Sequence, residues 1–169
     1  MRTVFYGWQS DTPTDANRDF IAQALEAAIR SLGTDLILDR DVRGVPGMAA
    51  IGDTILLKIR SATLCAMDLT IVATHVGRQE RSIPNSNVLI ELGFALAARG
   101  PESIICIMNE HYGKPDELPF DLRHRNVSVR YDLGPFAGEI ERQRELAELT
   151  VKLSQSMRMA IENLAPAAA

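Results

Sequence analysis

The segment NVLIELGFALAAR, residues 87–99, contains the strongest signal for chemistry in the chain. Its apolar residues fall on nearly every side of a helix, which predicts that the helix is buried. Glu91 is the only ionisable residue of this segment before Arg99. Burying an unpaired carboxylate is costly, and desolvation raises the pKa of the group, so Glu91 is a candidate catalytic residue. The alternative is a structural glutamate at the helix edge, either solvated or bonded to a backbone amide.

Polar side chains also follow the predicted strands, at the edge where an open parallel sheet binds its ligands. Such residues stand after the first strand (8–11), the second (39–41) and the third (68 and 70), and Asn87 begins the glutamate helix beside the same edge. The expected substrate-binding residues are Trp8, Gln9, Ser10, Asp11, Asp41, Asp68, Thr70 and Asn87. No Cys/His cluster has zinc spacing, so we expect no metal site.

Strands and helices alternate along the chain. Strands are predicted over 3–8, 35–38, 63–67, 103–108 and 127–131, the third with an optional extension to residue 72. Helices are predicted between Asp15 and Gly33 and over 51–61, 87–99 and 138–164, and residues 75–86 are predicted to form a polar loop. This alternation favours an α/β fold with a central five-stranded parallel sheet and helices on both faces.

The 169 residues fit one domain better than two. Residues 1–135 are predicted to form the catalytic domain, and residues 136–169 a long helix and a tail. At about 1.5 Å per residue this helix is near 40 Å long, more than a small domain needs. We therefore expect it to pack on the same domain, to support self-association or to lead into a missing partner domain.

Composition narrows the functional class. The net charge is −4, and the lysines and arginines are scattered, which disfavours direct binding of nucleic acid or an anionic membrane. No apolar run approaches the length of a transmembrane helix. Two cysteines in apolar strands are typical of reduced thiols, so a cytoplasmic location is expected.

Three common enzyme signatures are missing from the sequence. The loop GVPG, residues 44–47, does not extend to the Gly-x-Gly-x-x-Gly of a dinucleotide-binding fold. There is neither a phosphate-binding P-loop nor the Gly-x-Ser-x-Gly of α/β-hydrolases. A turn is the simplest interpretation of GVPG.

Several segments resemble bacterial TIR-like domains with NADase activity. They are YGWQSD (6–11), DRDVRGVPGMAAI (39–51), CAMDLT (65–70), PNSNVLIELGFALA (84–97) and LPFDLRHR (118–125). The matching region spans residues 3 to about 131. The most specific element is Asn-Val-x-x-Glu-Leu-Gly, although nucleoside deoxyribosyltransferase-like proteins share a Glu-Leu-Gly helix.

The resemblance implies a flavodoxin-like TIR fold and NAD⁺ glycohydrolase activity, the cleavage of the nicotinamide–ribose bond. The catalytic glutamate of the family falls on Glu91, its ligand-contacting loop on residues 8–11 and its flexible loop on residues 41–47. Asp68 and Thr70 match the polar end of its third strand. NAD⁺ would be the substrate, with no further cofactor. The resemblance also implies anti-phage defence, homo-oligomerisation on activation and a fused or separate sensor domain.

Two alternatives stay open at this stage. A nucleoside 2-deoxyribosyltransferase or nucleotide N-glycosidase would use the same sheet edge and a similar glutamate. A TIR-like interaction module would have no catalytic function, but such a module has no need to bury a carboxylate.

Overall fold

The structure is a computed structural model, and it describes residues 2–40, 51–78, 80–125, 127 and 129–164. The strands are β1 (Arg2–Gly7), β2 (Leu36–Asp39), β3 (Leu64–Asp68), β4 (Ile71–Val76), β5 (Glu80–Pro84), β6 (Ile104–Asn109) and β7 (Val129–Tyr131). The α-helices are α1 (Arg18–Leu32), α2 (Ile51–Ser61), α3 (Ser86–Arg99), α4 (Phe120–Arg123) and α5 (Glu139–Leu164). Short 3₁₀ turns cover Pro101–Ser103, Glu110–Tyr112 and Pro115–Glu117.

Five strands form the central sheet in the order β2-β1-β3-β6-β7. Each neighbouring pair is parallel. This is the flavodoxin-like strand order, in which the chain reverses direction across the sheet between β1 and β3. The predicted α/β fold, a five-stranded parallel sheet with helices on both faces, is confirmed. In such sheets the reversal point is where a crevice opens beyond the strand ends.

Side chains alternate between the two faces of the sheet and so divide the core in two. Val4 and Tyr6 of β1 point into a core that is shared with α1 and α5. Phe5, between them, points into a second core with α2 and α3. Since successive strand residues face opposite sides, one short strand supports helices on both faces.

Helix α5 packs on α1 and β7. Its inward stripe of Leu149, Leu153, Met157 and Ala160 is buried, at the spacing expected of an amphipathic helix. Burial of these four side chains joins α5 to the same core as the sheet. That this helix also leads into a partner domain stays a prediction.

The region after β3 differs from the sequence prediction. The predicted extension of β3 to residue 72 does not form, and residues 75–86 do not form the predicted polar loop. Instead, β4 and β5 pair as an antiparallel hairpin outside the main sheet. The turn is set by Asp68, whose Oδ1 accepts a hydrogen bond from the Thr70 backbone nitrogen at 3.0 Å. Most of the hairpin is exposed, so its sequence lacks the apolar alternation by which half-buried strands are recognised.

Candidate active site

A cleft of about 710 Å³ opens at the carboxyl end of β1, between α2 and α3. Its volume lies within the range of about 300–1,000 Å³ that is usual for small-molecule sites. The described residues that line it are Phe5, Tyr6, Gly7, Trp8, Gln9, Ser10, Arg40, Gly52, Asp53, Ile55, Leu56, Lys58, Asn85, Asn87, Ile90 and Glu91. The cleft therefore lies at the carboxyl end of β1, next to the point at which the strand order reverses.

Glu91 reaches this cleft from the second turn of α3. The helix buries Val88, Leu92 and Ala95 against the sheet, and Glu91 lies beside that apolar face. Its Oε2 atom is buried and has no hydrogen-bond partner. Burial raises the pKa of the carboxyl group to about 7, since desolvation disfavours the charged form. No ion pair between described residues includes Glu91.

The carboxyl group of Glu91 lies against the backbone of Gly7, the last residue of β1. A Cβ atom at Gly7 would stand 2.7 Å from Glu91 Oε2 and 2.7 Å from Met67 Sδ. Real Cβ atoms do not approach other heavy atoms so closely. The missing side chain at Gly7 thus makes room for the carboxyl group at the strand end.

Helix α3 begins with an asparagine cap. Asn85 Oδ1 accepts hydrogen bonds from the backbone nitrogens of Asn87 at 2.9 Å and Val88 at 3.2 Å, which satisfies two donors that a helix start leaves unpaired. Asn87 is exposed, lines the cleft and lies one helical turn before Glu91. The cap therefore fixes the turn that places an amide and a carboxyl group on one side of the cleft.

The loop after β1 is built around the side chain of Gln9. Gln9 Oε1 accepts from the backbone nitrogens of Asp11 at 2.6 Å and Thr12 at 3.1 Å. Gln9 Nε2 donates to Thr12 Oγ1 at 2.6 Å and to Asp68 Oδ2 at 3.2 Å. With these four bonds Gln9 shapes the loop from below, and its amide has little capacity left for a ligand.

Asp68 and Thr70 are fully buried beneath that loop. Asn17 Nδ2 donates to Thr70 Oγ1 at 3.0 Å, and the Asn109 backbone nitrogen donates to the same hydroxyl at 3.0 Å. Desolvation raises the pKa of Asp68, and the hydrogen bonds from Thr70, Asn17 and Gln9 oppose that shift. The structure places both predicted residues under the cleft wall, where they support the loop.

The remaining predicted residues have different positions. Trp8 is 37% exposed and lines the cleft. Its Nε1 donates a hydrogen bond to the Arg40 carbonyl oxygen at 2.8 Å. The guanidinium group of Arg18 lies 5.0 Å from the centroid of the Trp8 ring. Ser10 is exposed on the cleft wall. Asp11 lies outside the set of lining residues. Asp41, with the predicted flexible loop over 41–47, lies outside the described residues.

Comparisons with known proteins give matches among solved structures only. No protein-family model matches the sequence, and no curated protein matches it significantly. Among solved structures, a flavodoxin-like domain from Synechococcus sp. has a TM-score of 0.48 at 19% identity, covering 92% of this chain and 98% of that one. A 2-deoxyribosyltransferase from Leishmania mexicana has a TM-score of 0.44 at 19% identity, covering 87% and 98%. A diflavin flavoprotein A3 from Nostoc sp. has a TM-score of 0.48 at 16% identity, covering 96% of both chains.

The cleft includes polar residues of α2 that the sequence patterns did not single out. Lys58 lines the cleft and bonds Asp39 Oδ1 through its Nζ at 2.5 Å. Asp53, in the first turn of α2, also lines it. Both residues belong to the amphipathic helix α2. Which of its polar side chains face the cleft depends on how α2 packs against α3, and the sequence does not show this.

Neither a metal-binding cluster nor a membrane-spanning helix occurs in the described ranges. No group of three or more His, Cys, Asp or Glu side chains there is placed to hold a metal ion. No helix in the same ranges combines the length and apolar character needed to cross a bilayer. The described residues give the cleft the Glu91 carboxyl group, whose Oε2 has no hydrogen-bond partner, the partly exposed ring of Trp8 and several polar side chains.

Proposed function

We propose that this protein is an NAD⁺ glycohydrolase and that Glu91 is its catalytic residue. The observation that supports this proposal is the Glu91 carboxyl group, half-buried in a ligand-sized cleft without a hydrogen-bond partner on Oε2. Such a group costs stability in the free protein, and strained or desolvated groups of this kind occur at functional sites. The TIR-like pattern around Asn-Val-x-x-Glu-Leu-Gly supports the same assignment.

The reaction breaks the bond between C1′ of the ribose and the nicotinamide nitrogen. The bonding electrons leave with the nitrogen, so a cationic ring departs as neutral nicotinamide and positive charge develops on the ribose. A carboxylate close to C1′ stabilises this oxocarbenium-like charge. Water then adds to C1′ and loses a proton, which gives ADP-ribose, nicotinamide and one proton. Because the leaving group departs neutral, no acid needs to protonate it.

The Glu91 carboxylate favours a substrate whose reacting ring is cationic over a neutral nucleoside. Desolvation is the one cause that shifts the pKa of Glu91, and no arginine or lysine offsets it. A bound nicotinamide ring carries a positive charge and would favour the ionised carboxylate. A neutral deoxynucleoside brings no such charge, and its base is a poor leaving group unless an acid protonates it. The attraction between the carboxylate and the cationic nicotinamide ring supports NAD⁺ as the substrate.

The other lining residues fit the remainder of such a substrate. The partly exposed ring of Trp8 offers a stacking surface for a base or the nicotinamide ring. Asn87, one turn from Glu91, offers an amide to the ribose hydroxyls. Self-association, a sensor domain and a role in anti-phage defence stay predictions from the TIR-like pattern.

The pH dependence of NAD⁺ cleavage should report the ionisation of Glu91. We expect kcat/KM to rise with pH and to level off above pH 7, because burial raises the pKa of Glu91 to about 7 and the carboxylate is the active form. The inflection of kcat should lie at a lower pH, since the bound cation favours ionisation. Initial rates between pH 5.5 and 8.5 measure both curves. A flat kcat/KM profile across that range would show that another group limits the reaction.

Adding one methyl group at Gly7 should displace the Glu91 carboxyl group. The new Cβ would lie 2.7 Å from Glu91 Oε2 and 2.7 Å from Met67 Sδ, and both atoms belong to flexible side chains that can move aside without unfolding the sheet. We expect Gly7→Ala to lower kcat by about 10- to 100-fold, since small misplacements of catalytic groups are costly. Loss of stability should stay near 1 kcal/mol, as is usual for mild overpacking.

Gly93→Ala is the matched control for this substitution. Gly93 lies on the exposed side of α3, two residues from Glu91, and a Cβ there meets no atom within 4 Å. The same chemical change should therefore leave kcat unchanged. Equal kcat values for Gly7→Ala and wild type would contradict the placement of the carboxyl group.

A further inference from the structure

A side-chain hydrogen bond joins the loop after β1 to the cap of α3, on the side where both border the cleft. Asn85 Nδ2 donates to Asp11 Oδ2 at 2.6 Å. Asp11 belongs to the loop after β1, and Asn85 caps the helix that carries Glu91. Among the described residues, no other side-chain hydrogen bond joins residues 8–12 to α3 or its cap.

The two ends of this bridge are fixed from opposite sides. Asn85 uses its carbonyl oxygen for the helix cap, which leaves its NH₂ group to point at the loop. The backbone nitrogen of Asp11 is held by Gln9 Oε1 at 2.6 Å, and Gln9 is itself tied to buried Asp68. The bridge therefore connects a loop anchored in the core to the first turn of α3.

We propose that Asp11 is a positioning residue, which sets the width of the cleft mouth through Asn85 without touching the substrate. This inference rests on the proposed function for its kinetic consequence. Asp11 lies outside the set of lining residues, whereas its neighbours Trp8 and Ser10 and its partner Asn85 line the cleft. The proposal gives Asp11 this indirect role in place of the substrate contact that the sequence predicts.

Loss of the bridge should weaken substrate binding more than it slows the chemical step. Trp8 and Ser10 move with the loop, whereas Glu91 stays on a helix whose cap does not depend on Asp11. The bridge is one exposed hydrogen bond, so its loss should cost the folded protein no more than about 1 kcal/mol. A change in KM with a nearly constant kcat, in a protein that melts normally, is the pattern expected of a positioning residue.

Comparing Asp11→Ala with Asp11→Asn separates the bridge from the charge. Both substitutions remove the negative charge, but only asparagine keeps a side-chain oxygen that can accept from Asn85. We expect KM for NAD⁺ to rise about five- to tenfold in Asp11→Ala, the value of one hydrogen bond, and to stay within about twofold in Asp11→Asn. Equal increases of KM in both variants would mean that Asp11 acts on the substrate through its charge. Unchanged KM values in both variants would mean that the bridge has no role. Either result overturns the proposal.

Fluorescence gives a second readout that needs no enzymatic activity. Trp8 is the only tryptophan of the chain and lies on the bridged loop. Acrylamide should quench its emission more strongly in Asp11→Ala than in wild type or Asp11→Asn. If NAD⁺ is not cleaved by the wild type, this quenching difference still supports the bridge, while the proposed function fails. Identical quenching in all three proteins would overturn the positioning role.

Discussion

Replacing Glu91 with glutamine should lower the rate of NAD⁺ cleavage by about 100- to 1,000-fold. Glutamine keeps the size of the side chain and removes the negative charge that stabilises the developing cation. Losses of this order follow from removing one preorganised electrostatic group in an active site. The measurement is nicotinamide release at saturating NAD⁺ and pH 8, where the carboxyl group is ionised. A Glu91→Gln protein with the wild-type kcat would remove the catalytic assignment.

The same substitution should stabilise the folded protein, which excludes misfolding as the cause of the lost activity. Burial raises the pKa of Glu91 from 4.5 to about 7, so between these values the folded state binds more protons than the unfolded state. Stability therefore falls as pH rises through this window. Because the group retains some solvent access, we expect Glu91→Gln to gain only about 1–2 kcal/mol at pH 8 and almost nothing near pH 4.5. Urea unfolding at the two pH values measures this difference.

Removing the buried carboxyl group of Asp68 should destabilise the folded protein more than any other substitution proposed for this protein. Asp68→Ala leaves the Thr70 backbone nitrogen without its acceptor and takes one partner each from Gln9 and Asn17. We expect a loss of about 2–4 kcal/mol from unsatisfied donors and the cavity that remains. In a domain of this size that corresponds to a fall in Tm of about 5–15 °C.

Two variants control for this effect. Asp68→Asn keeps an oxygen for Thr70 but turns an NH₂ group toward the donors of Gln9 and Asn17, so an intermediate loss is expected. Asp35→Ala removes an exposed aspartate and should change Tm little. An Asp68→Ala protein that melts with the wild type would show that the network contributes no net stability.

The main elements of the fold were predictable because their signals are local. The alternation of apolar strands with amphipathic helices indicated a parallel sheet, and the stripe through Leu149, Leu153 and Met157 identified the final helix and its buried face. Glycine at position 33 marked the end of α1 and indeed adopts a left-handed conformation with φ 61°. Each of these signals depends on residues within a few turns of each other.

The sequence did not show how deeply a residue that follows a strand is buried. The rule for parallel sheets identified the edge at which Asp68 and Thr70 lie, but their burial depends on Asn17 and Asn109, which are distant in sequence. The role of Asn85 was missed for a local reason. Helix α3 was predicted to begin at Asn87, whereas Asn85 is the cap and Ser86 the first helical residue. A start displaced by one residue was enough to hide the bridge to Asp11.

The most direct test of the central claim is to incubate wild-type protein at high concentration with NAD⁺ at pH 8 and to quantify nicotinamide and ADP-ribose, with Glu91→Gln and a deoxynucleoside substrate in parallel. We predict nicotinamide and an ADP-ribose product in equal amounts from the wild type, a rate at least about 100-fold lower from Glu91→Gln, and no free base from the deoxynucleoside. Equal nicotinamide release by both proteins, or base release from the deoxynucleoside with NAD⁺ left intact, would contradict the account.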